Sequence, residues 1–154
     1  MDTNVIITIK SLEYDGYNGT PGTEIETIQP GIYKYIHGRH IIIYEEPYDD
    51  TIQNPSLFTK NLVKISSDSV SITRRGQTCA DMFFKKDYHY SGTFGTDGGT
   101  LSIPIDIITS DLNIKENTGC IDIQLSYSLE LSHDYISMHT IYINIHFLEN
   151  TKKQ

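Results

Sequence analysis

The sequence predicts an all-β protein, a single closed or nearly closed antiparallel up-and-down β-barrel of eight to ten strands. Its 154 residues include 24 isoleucines and 11 tyrosines but almost no alanine, a composition that fits pleated, half-buried surfaces. Apolar and polar residues alternate in segment after segment, which is the period of a strand with one dry face. No stretch carries an unbroken helical stripe of apolar residues, so any helix is short.

The clearest alternation lies in the last third of the chain. Between residues 121 and 131 every odd position is apolar or aromatic and every even position is polar. After a polar break at residues 132–134, the pattern resumes over residues 141–147, whose odd positions are again apolar. Two such segments joined by a polar break indicate an antiparallel hairpin with one buried face.

The first third of the chain predicts three strands. Residues 4–12 alternate, and the Gly- and Asn-rich residues 13–21 that follow favour turns. A second extended run covers residues 23–36 but contains Pro30 before Gly31. Because proline cannot donate to a strand ladder, that pair marks a bulge, a bend or an edge. A turn at residues 37–39 leads into the third strand at residues 40–45.

The middle of the chain predicts two further hairpins after a polar loop. Residues 46–55 contain three acidic residues and two prolines, and we expect a loop there that carries at most a single helical turn. The four strands that follow are expected at residues 57–66, 69–74, 78–85 and 88–94.

A strict strand at residues 101–109 and a lead-in at residues 111–118 connect these hairpins to the last one. Pro104 lies on the face opposite the isoleucines, where a missing N–H costs least near an edge or bulge. The total is nine or ten strands in up-and-down order, and an open sheet of that kind would expose two edges. Closure into a barrel removes them, and such a barrel holds either packed side chains or one small ligand.

Length and charge limit the classes of partner. The chain is expected to form one domain over residues 1–154, with a core at about 4–148 and a polar tail at 150–154. Its net charge of -8 disfavours nucleic acid and anionic membranes. Neither a signal peptide nor a membrane span is evident, so we expect a cytoplasmic protein. Cys79 and Cys120 lack zinc-site spacing and are expected to stay reduced.

Several segments resemble a known family. They are residues 70–76 (VSITRRG), Met82-Phe83-Phe84, residues 90–95 (YSGTFG), the alternating strand that ends at Thr109, and the closing hairpin. Together they look like the YwiB-like family of small bacterial proteins, over roughly residues 5–145. The resemblance implies a calycin-like (lipocalin-like) β-barrel of uncharacterised biochemical role. Residues 96–100 look like an insertion relative to the family pattern.

Polar side chains in phase with the apolar rows are the candidates for a ligand site. They are Arg74, Tyr88, Tyr90, Tyr127 and His139. An arginine and several tyrosine hydroxyls at the mouth of an apolar cavity suit an amphipathic ligand with a carboxylate or phosphate. In the alternative interpretation, Arg74 ends its strand with the head group in water, or it pairs with Glu45.

No catalytic, metal or cofactor motif accompanies these residues. His139 could act as a general base only if a nucleophile faced it, and a structural role is the simpler interpretation. The remaining histidines supply too few ligands for a transition metal, and the acidic residues of the 46–55 loop lack a calcium-site pattern. The sequence contains no Gly-x-Ser-x-Gly, phosphate-loop or dinucleotide fingerprint. We therefore expect no cofactor and no metal.

The sequence is compatible with two non-enzymatic functions, and an enzymatic role ranks third after them. The first is a binding module whose barrel receives a small apolar or amphipathic molecule, in a cavity of some hundreds of Å³ lined by the odd residues of 121–131. The second is a structural or interaction module with a packed interior, whose outer surface near Pro30 or Pro104 recruits a partner or a second copy as a homodimer.

Overall fold

Ten strands form one closed antiparallel barrel in the computed structural model, which describes residues 3–15, 21–47, 58–76, 78–96, 101–131 and 135–148. The strands follow one another around the barrel in chain order. They are β1 (Thr3–Asp15), β2 (Pro21–Ile36), β3 (Arg39–Pro47), β4 (Phe58–Ile65), β5 (Ser69–Arg75), β6 (Thr78–Lys85), β7 (His89–Thr96), β8 (Leu101–Asn117), β9 (Cys120–Leu131) and β10 (Tyr135–Phe147). The predicted fold class is confirmed.

The first and last strands close the barrel. Antiparallel pairing of β1 with β10 runs from Val5 opposite Phe147 to Asp15 opposite Ser137. The hairpin β9–β10 keeps a constant register from Tyr135 opposite Leu131 to His146 opposite Cys120. The alternation in the last third of the chain therefore does place one face of each strand inside the barrel.

The core fills the end of the barrel at which β1 begins, which we call the packed end. Inward side chains there are almost completely buried, as Ile7, Leu125 and Ile145 illustrate with 0–2% exposure. Tyr33 and Phe147 close this end with an edge-to-face contact of 4.8 Å between ring centroids. The Tyr33 hydroxyl lies 2.7 Å from His40 Nδ1, and His40 Nε2 lies 3.2 Å from Glu116 Oε2.

Strand β8 is longer than the sequence predicts. Residues 111–117, expected as a lead-in, continue the strand and pair with β9 as far as Asn117 opposite Cys120. A bulge at Ser110 separates Thr109 from Asp111, and after it Leu112 and Ile114 take the inward positions. The extra residue moves the inward side chains from odd-numbered to even-numbered positions, so the alternation in the sequence is interrupted there.

Strand β3 points Glu45 away from the barrel interior, whereas the alternative in which Arg74 pairs with Glu45 requires Glu45 on the inner face. Ile42 and Tyr44 point inward, with 1% and 6% exposure, while Glu45 is exposed on the outer face. Residues 41–43 are three consecutive isoleucines, so no polar residue among them marks which side of the strand faces solvent. The carboxylate on the inner face is therefore that of Glu46.

Both prolines singled out in the sequence occupy strand edges. Pro30 pairs with Ile6 of β1, and β3 begins to pair with β2 only at the next residue, Gly31. Pro104 is exposed and pairs with Thr93 of β7, while β9 joins β8 only from Ile105 onward. The helical turn expected within residues 46–55, the insertion expected at 96–100 and the polar tail lie wholly or mostly outside the described residues.

Candidate ligand-binding cavity

The end of the barrel opposite the packed end is hollow. It encloses a cavity of about 390 Å³, within the range of small-molecule sites. Twelve aliphatic, aromatic, sulfur or hydroxyl side chains make most of the wall: Ile9, Ser11, Ile25, Thr27, Ile72, Met82, Phe94, Ile105, Leu129, Leu131, Ile141 and Ile143. Five polar or amphipathic side chains complete it: Tyr44, Glu46, Asn61, Arg74 and Tyr127.

The inward residues of β1 and β2 explain why this end is not filled. Along β1 the inward series changes from Val5 and Ile7 in the packed core to Ser11 in the cavity wall. Strand β2 contributes Thr27, which lies opposite Ile9, and the small side chains of Ser11 and Thr27 leave space that larger ones would occupy. Ile25 also faces the cavity but is 53% exposed, so it lies at the mouth.

The predicted lining of β9 is found in its second half. Tyr127, Leu129 and Leu131 line the cavity, whereas Ile121 and Ile123 pack into the core at the other end. The division follows from the position of each residue along the barrel axis, which alternation alone does not record.

Three neighbouring strands build a polar group on the cavity wall, which we call the Arg74 cluster: Tyr44, Glu46, Asn61 and Arg74. Tyr44 lies opposite Asn61 in the β3–β4 ladder, and Asn61 lies opposite Arg74 in the β4–β5 ladder. Glu46 follows two residues after Tyr44 and so points to the same side. Residues that are far apart in sequence therefore share one patch of the inner wall.

Glu46 is the centre of the cluster. Asn61 Nδ2 donates to Glu46 Oε1 at 2.9 Å, and Arg74 Nη2 donates to the same oxygen at 3.3 Å. The side chains of Arg74 and Glu46 are 35% and 23% exposed, so the pair is reachable from the mouth. Burial raises the pKa of Tyr44, and the Glu46 carboxylate raises it further, so the hydroxyl stays protonated.

Two polar atoms of the cluster have no partner among the described residues. They are the acceptor Asn61 Oδ1 and the donor Arg74 Nε. Asn61 is 1% exposed. Because the Glu46 carboxylate can only accept a hydrogen bond, the Asn61 amide turns its donor Nδ2 toward it, and Oδ1 is left without a donor. Buried polar atoms are normally paired, so this pair of atoms is a sign of a missing partner.

A second polar group lies beside Tyr127. The His139 ring stacks on the Tyr127 ring at 4.9 Å with an interplanar angle of 9°. Ser137 Oγ lies 2.7 Å from His139 Nε2, and Glu13 is opposite His139 in the β1–β10 ladder. Burial lowers the pKa of His139, while the Glu13 carboxylate opposes that shift.

Ser137 is the nucleophile that would have to face His139 for general-base chemistry, but its surroundings do not favour it. Ser137 is 2% exposed, and neither Ser137 nor His139 is among the residues that line the cavity. The contact satisfies a buried hydroxyl with a ring nitrogen, which is the structural role of a core histidine.

Tyr88 and Tyr90 lie away from the cavity lining. Their rings contact Phe83, with centroid distances of 5.4 Å and 6.2 Å, and Tyr88 is 46% exposed. The Tyr90 ring lies across Gly92, where an added Cβ would come within 2.7 Å of Tyr90 Cε2. Of the five predicted site residues, the structure brings Arg74 and Tyr127 to the cavity wall and stacks His139 on the ring of Tyr127.

Sequence reasoning missed Tyr44, Glu46 and Asn61. Asn61 alone carried a readable signal, since it occupies an inward position in phase with Val63 and Ile65. A polar residue in an apolar row is a candidate site residue, but its partners become apparent only from the strand register.

The described part of the chain holds no group of three or more His, Cys, Asp or Glu side chains arranged for a metal ion. Within the same residues there is no helix with the length and apolarity that a membrane crossing needs.

Comparison with known proteins identifies one family and one solved structure. The family model described as a domain of unknown function (DUF1934) matches residues 7–143. The crystal structure of the ywiB protein from Bacillus subtilis matches with a TM-score of 0.78 at 18% sequence identity, over 96% of this chain and 94% of that chain. At this identity the likeness demonstrates a shared fold. No curated protein matches the chain.

Proposed function

The chain belongs to the DUF1934 family, as the predicted YwiB-like resemblance indicated, and we propose from its cavity that it binds a small amphipathic molecule inside the open end of the barrel. In this proposal the protein is not an enzyme but a binding module that holds its ligand in the lipocalin-like manner, within the barrel. Binding would occur in the cytoplasm, where the two free cysteines stay reduced.

The observation that carries the proposal is an apolar cavity with one polar cluster on its wall. Burial of an apolar chain against residues such as Leu129, Leu131 and Ile141 contributes about 25 cal/mol per Å². The Arg74 cluster would orient the polar end, and Tyr127 offers a hydroxyl on the wall of the same cavity. Burial raises the pKa of Tyr127, so its hydroxyl stays protonated and can donate a hydrogen bond.

A fluorescent apolar probe tests the proposal. The uncharged dye N-phenyl-1-naphthylamine should brighten on binding to the protein, and native mass spectrometry of the protein as purified should reveal any co-purifying small molecule. Leu129→Trp would fill the cavity and abolish the dye signal. Ser128→Trp places the same side chain on the outer face of the same strand and should leave the signal intact.

Loss of dye binding in both tryptophan variants, or no binding by the unaltered protein, would contradict the proposal. If Leu129→Trp does not fold, Ile141→Phe tests the same wall with a smaller increase in volume.

A second candidate function rests on the outer face of β2. Ile28, Ile32 and Ile36 point outward there and are 63%, 41% and 41% exposed. Among the described strands, residues 24–30 of β2 pair with β1 alone, and in this candidate function their other edge pairs with another chain. We propose a second copy as the partner, paired edge to edge in a homodimer.

Size-exclusion chromatography with light scattering tests the homodimer. The unaltered protein should have the mass of two chains, and Ile28→Lys should convert it to a monomer. Asn113→Lys, which adds the same charge on the exposed face of β8, should leave the dimer unchanged. A monomeric unaltered protein would rule out this candidate without affecting the cavity.

A further inference from the structure

We infer that the cavity selects an amphiphile with an uncharged head group that both donates and accepts hydrogen bonds, such as an alcohol or a primary amide, over carboxylates, phosphates and amines. This inference rests on the proposed function and specifies its ligand class. It also replaces the carboxylate or phosphate head group that the sequence predicts from Arg74 and the tyrosine hydroxyls.

The described wall of the cavity carries one positive and one negative side chain. Among the described residues that line it, Arg74 and Glu46 are the charged ones, and they neutralise each other through the 3.3 Å contact. An anionic head group near Arg74 would meet the Glu46 carboxylate, and a cationic one near Glu46 would meet the Arg74 guanidinium. Since both groups are partly removed from water, such like-charge contacts are weakly screened.

The Arg74 cluster contains one buried acceptor and one buried donor that are unpaired among the described residues. Asn61 Oδ1 can only accept, and Arg74 Nε can only donate. A carboxylate offers no donor to Asn61, and an ammonium offers no acceptor to Arg74. A hydroxyl or a primary amide offers both. The carbonyl of Asn61 is buried, so leaving it unpaired in a complex weakens binding of any ligand without a donor.

Four ligands with the same alkyl chain test the inference. Decanol, decanamide, decanoate and decylammonium would each compete with N-phenyl-1-naphthylamine, at a pH where the acid and the amine are both charged. We expect decanol and decanamide to bind at least about tenfold more tightly than decanoate and decylammonium, the ratio that one missing buried hydrogen bond produces.

A charge-neutralising variant tests the role of Glu46. Glu46→Gln keeps an oxygen for Asn61 and Arg74 but leaves the guanidinium unbalanced, so decanoate should gain at least about tenfold relative to decanol. Glu45→Gln is the matched control, because it removes one negative charge from the adjacent residue on the outer face. The control should keep the preference of the unaltered protein.

The outcomes separate this inference from the proposed function. Tight binding of decanoate by the unaltered protein, or equal binding of all four ligands, overturns the uncharged head group while the cavity remains a binding site. Absence of dye and ligand binding overturns both. The selectivity of the unaltered protein decides the matter even if Glu46→Gln does not fold.

Discussion

Two leucines on the same face of β9 should differ in what they contribute to stability. Leu125 is completely buried in the core, and Leu129, four residues further along, lines the cavity. Each Leu→Ala change removes three carbon atoms, which corresponds to about 2.4 kcal/mol of transfer free energy at about 0.8 kcal/mol per methylene. At Leu125 the void left behind adds a further cost, so the total is about 3–5 kcal/mol.

At Leu129 part of the side chain already borders empty space. The substitution enlarges an existing cavity and removes fewer contacts, and we expect a loss of about 2 kcal/mol or less. The difference of at least about 1 kcal/mol corresponds to roughly 2–4 °C in Tm for a domain of this length. Urea unfolding of both variants measures it, provided that their m-values agree. Equal losses would refute the reasoning, because they require both ends of the barrel to be packed alike.

Two further predictions concern the pH dependence of stability and one close backbone approach. Because burial lowers the pKa of His139 below its unfolded value of about 6.5, its share of stability is complete above that pH and is lost as pH falls through the lowered pKa. Urea midpoints at a series of pH values should therefore fall less steeply on acidification in His139→Gln than in the original protein. Parallel slopes in the two proteins would contradict this. Gly31→Ala places a Cβ 2.9 Å from the Ile43 carbonyl oxygen and should cost about 1–3 kcal/mol in thermal unfolding. Gly119→Asn meets no atom within 4 Å and carries only the backbone strain of φ 87°, a region that asparagine adopts more readily than most residues, so it should cost less. A Gly31→Ala variant as stable as the original protein would show that β2 shifts freely away from β3.

The fold could be predicted because most strands have one wet face and one dry face. In β9 the contrast between Leu125 and its polar neighbours records the direction of each side chain. Where that contrast is missing, as in the isoleucines at residues 41–43, the sequence does not say which side faces inward. Where a bulge such as that at Ser110 changes the parity, the same pattern hides a continuing strand.

The candidate site could be predicted only in part. Arg74 and Tyr127 are in phase with apolar neighbours on their own strands, and both do line the cavity. Glu46 and Asn61 lie beside Arg74 because their strands are neighbours in the barrel. In the chain, Asn61 is 15 residues from Glu46 and 13 residues from Arg74. Such neighbours follow from register, and a single sequence does not contain it.

The division of the barrel into a solid half and a hollow half separates two kinds of selection. Changes among the isoleucines of the packed end threaten the existence of the native state, whereas changes around the cavity alter what can enter at a modest cost in stability. If the cavity binds a ligand as proposed, substitutions in its wall can therefore change that ligand during evolution while the packed end preserves the fold.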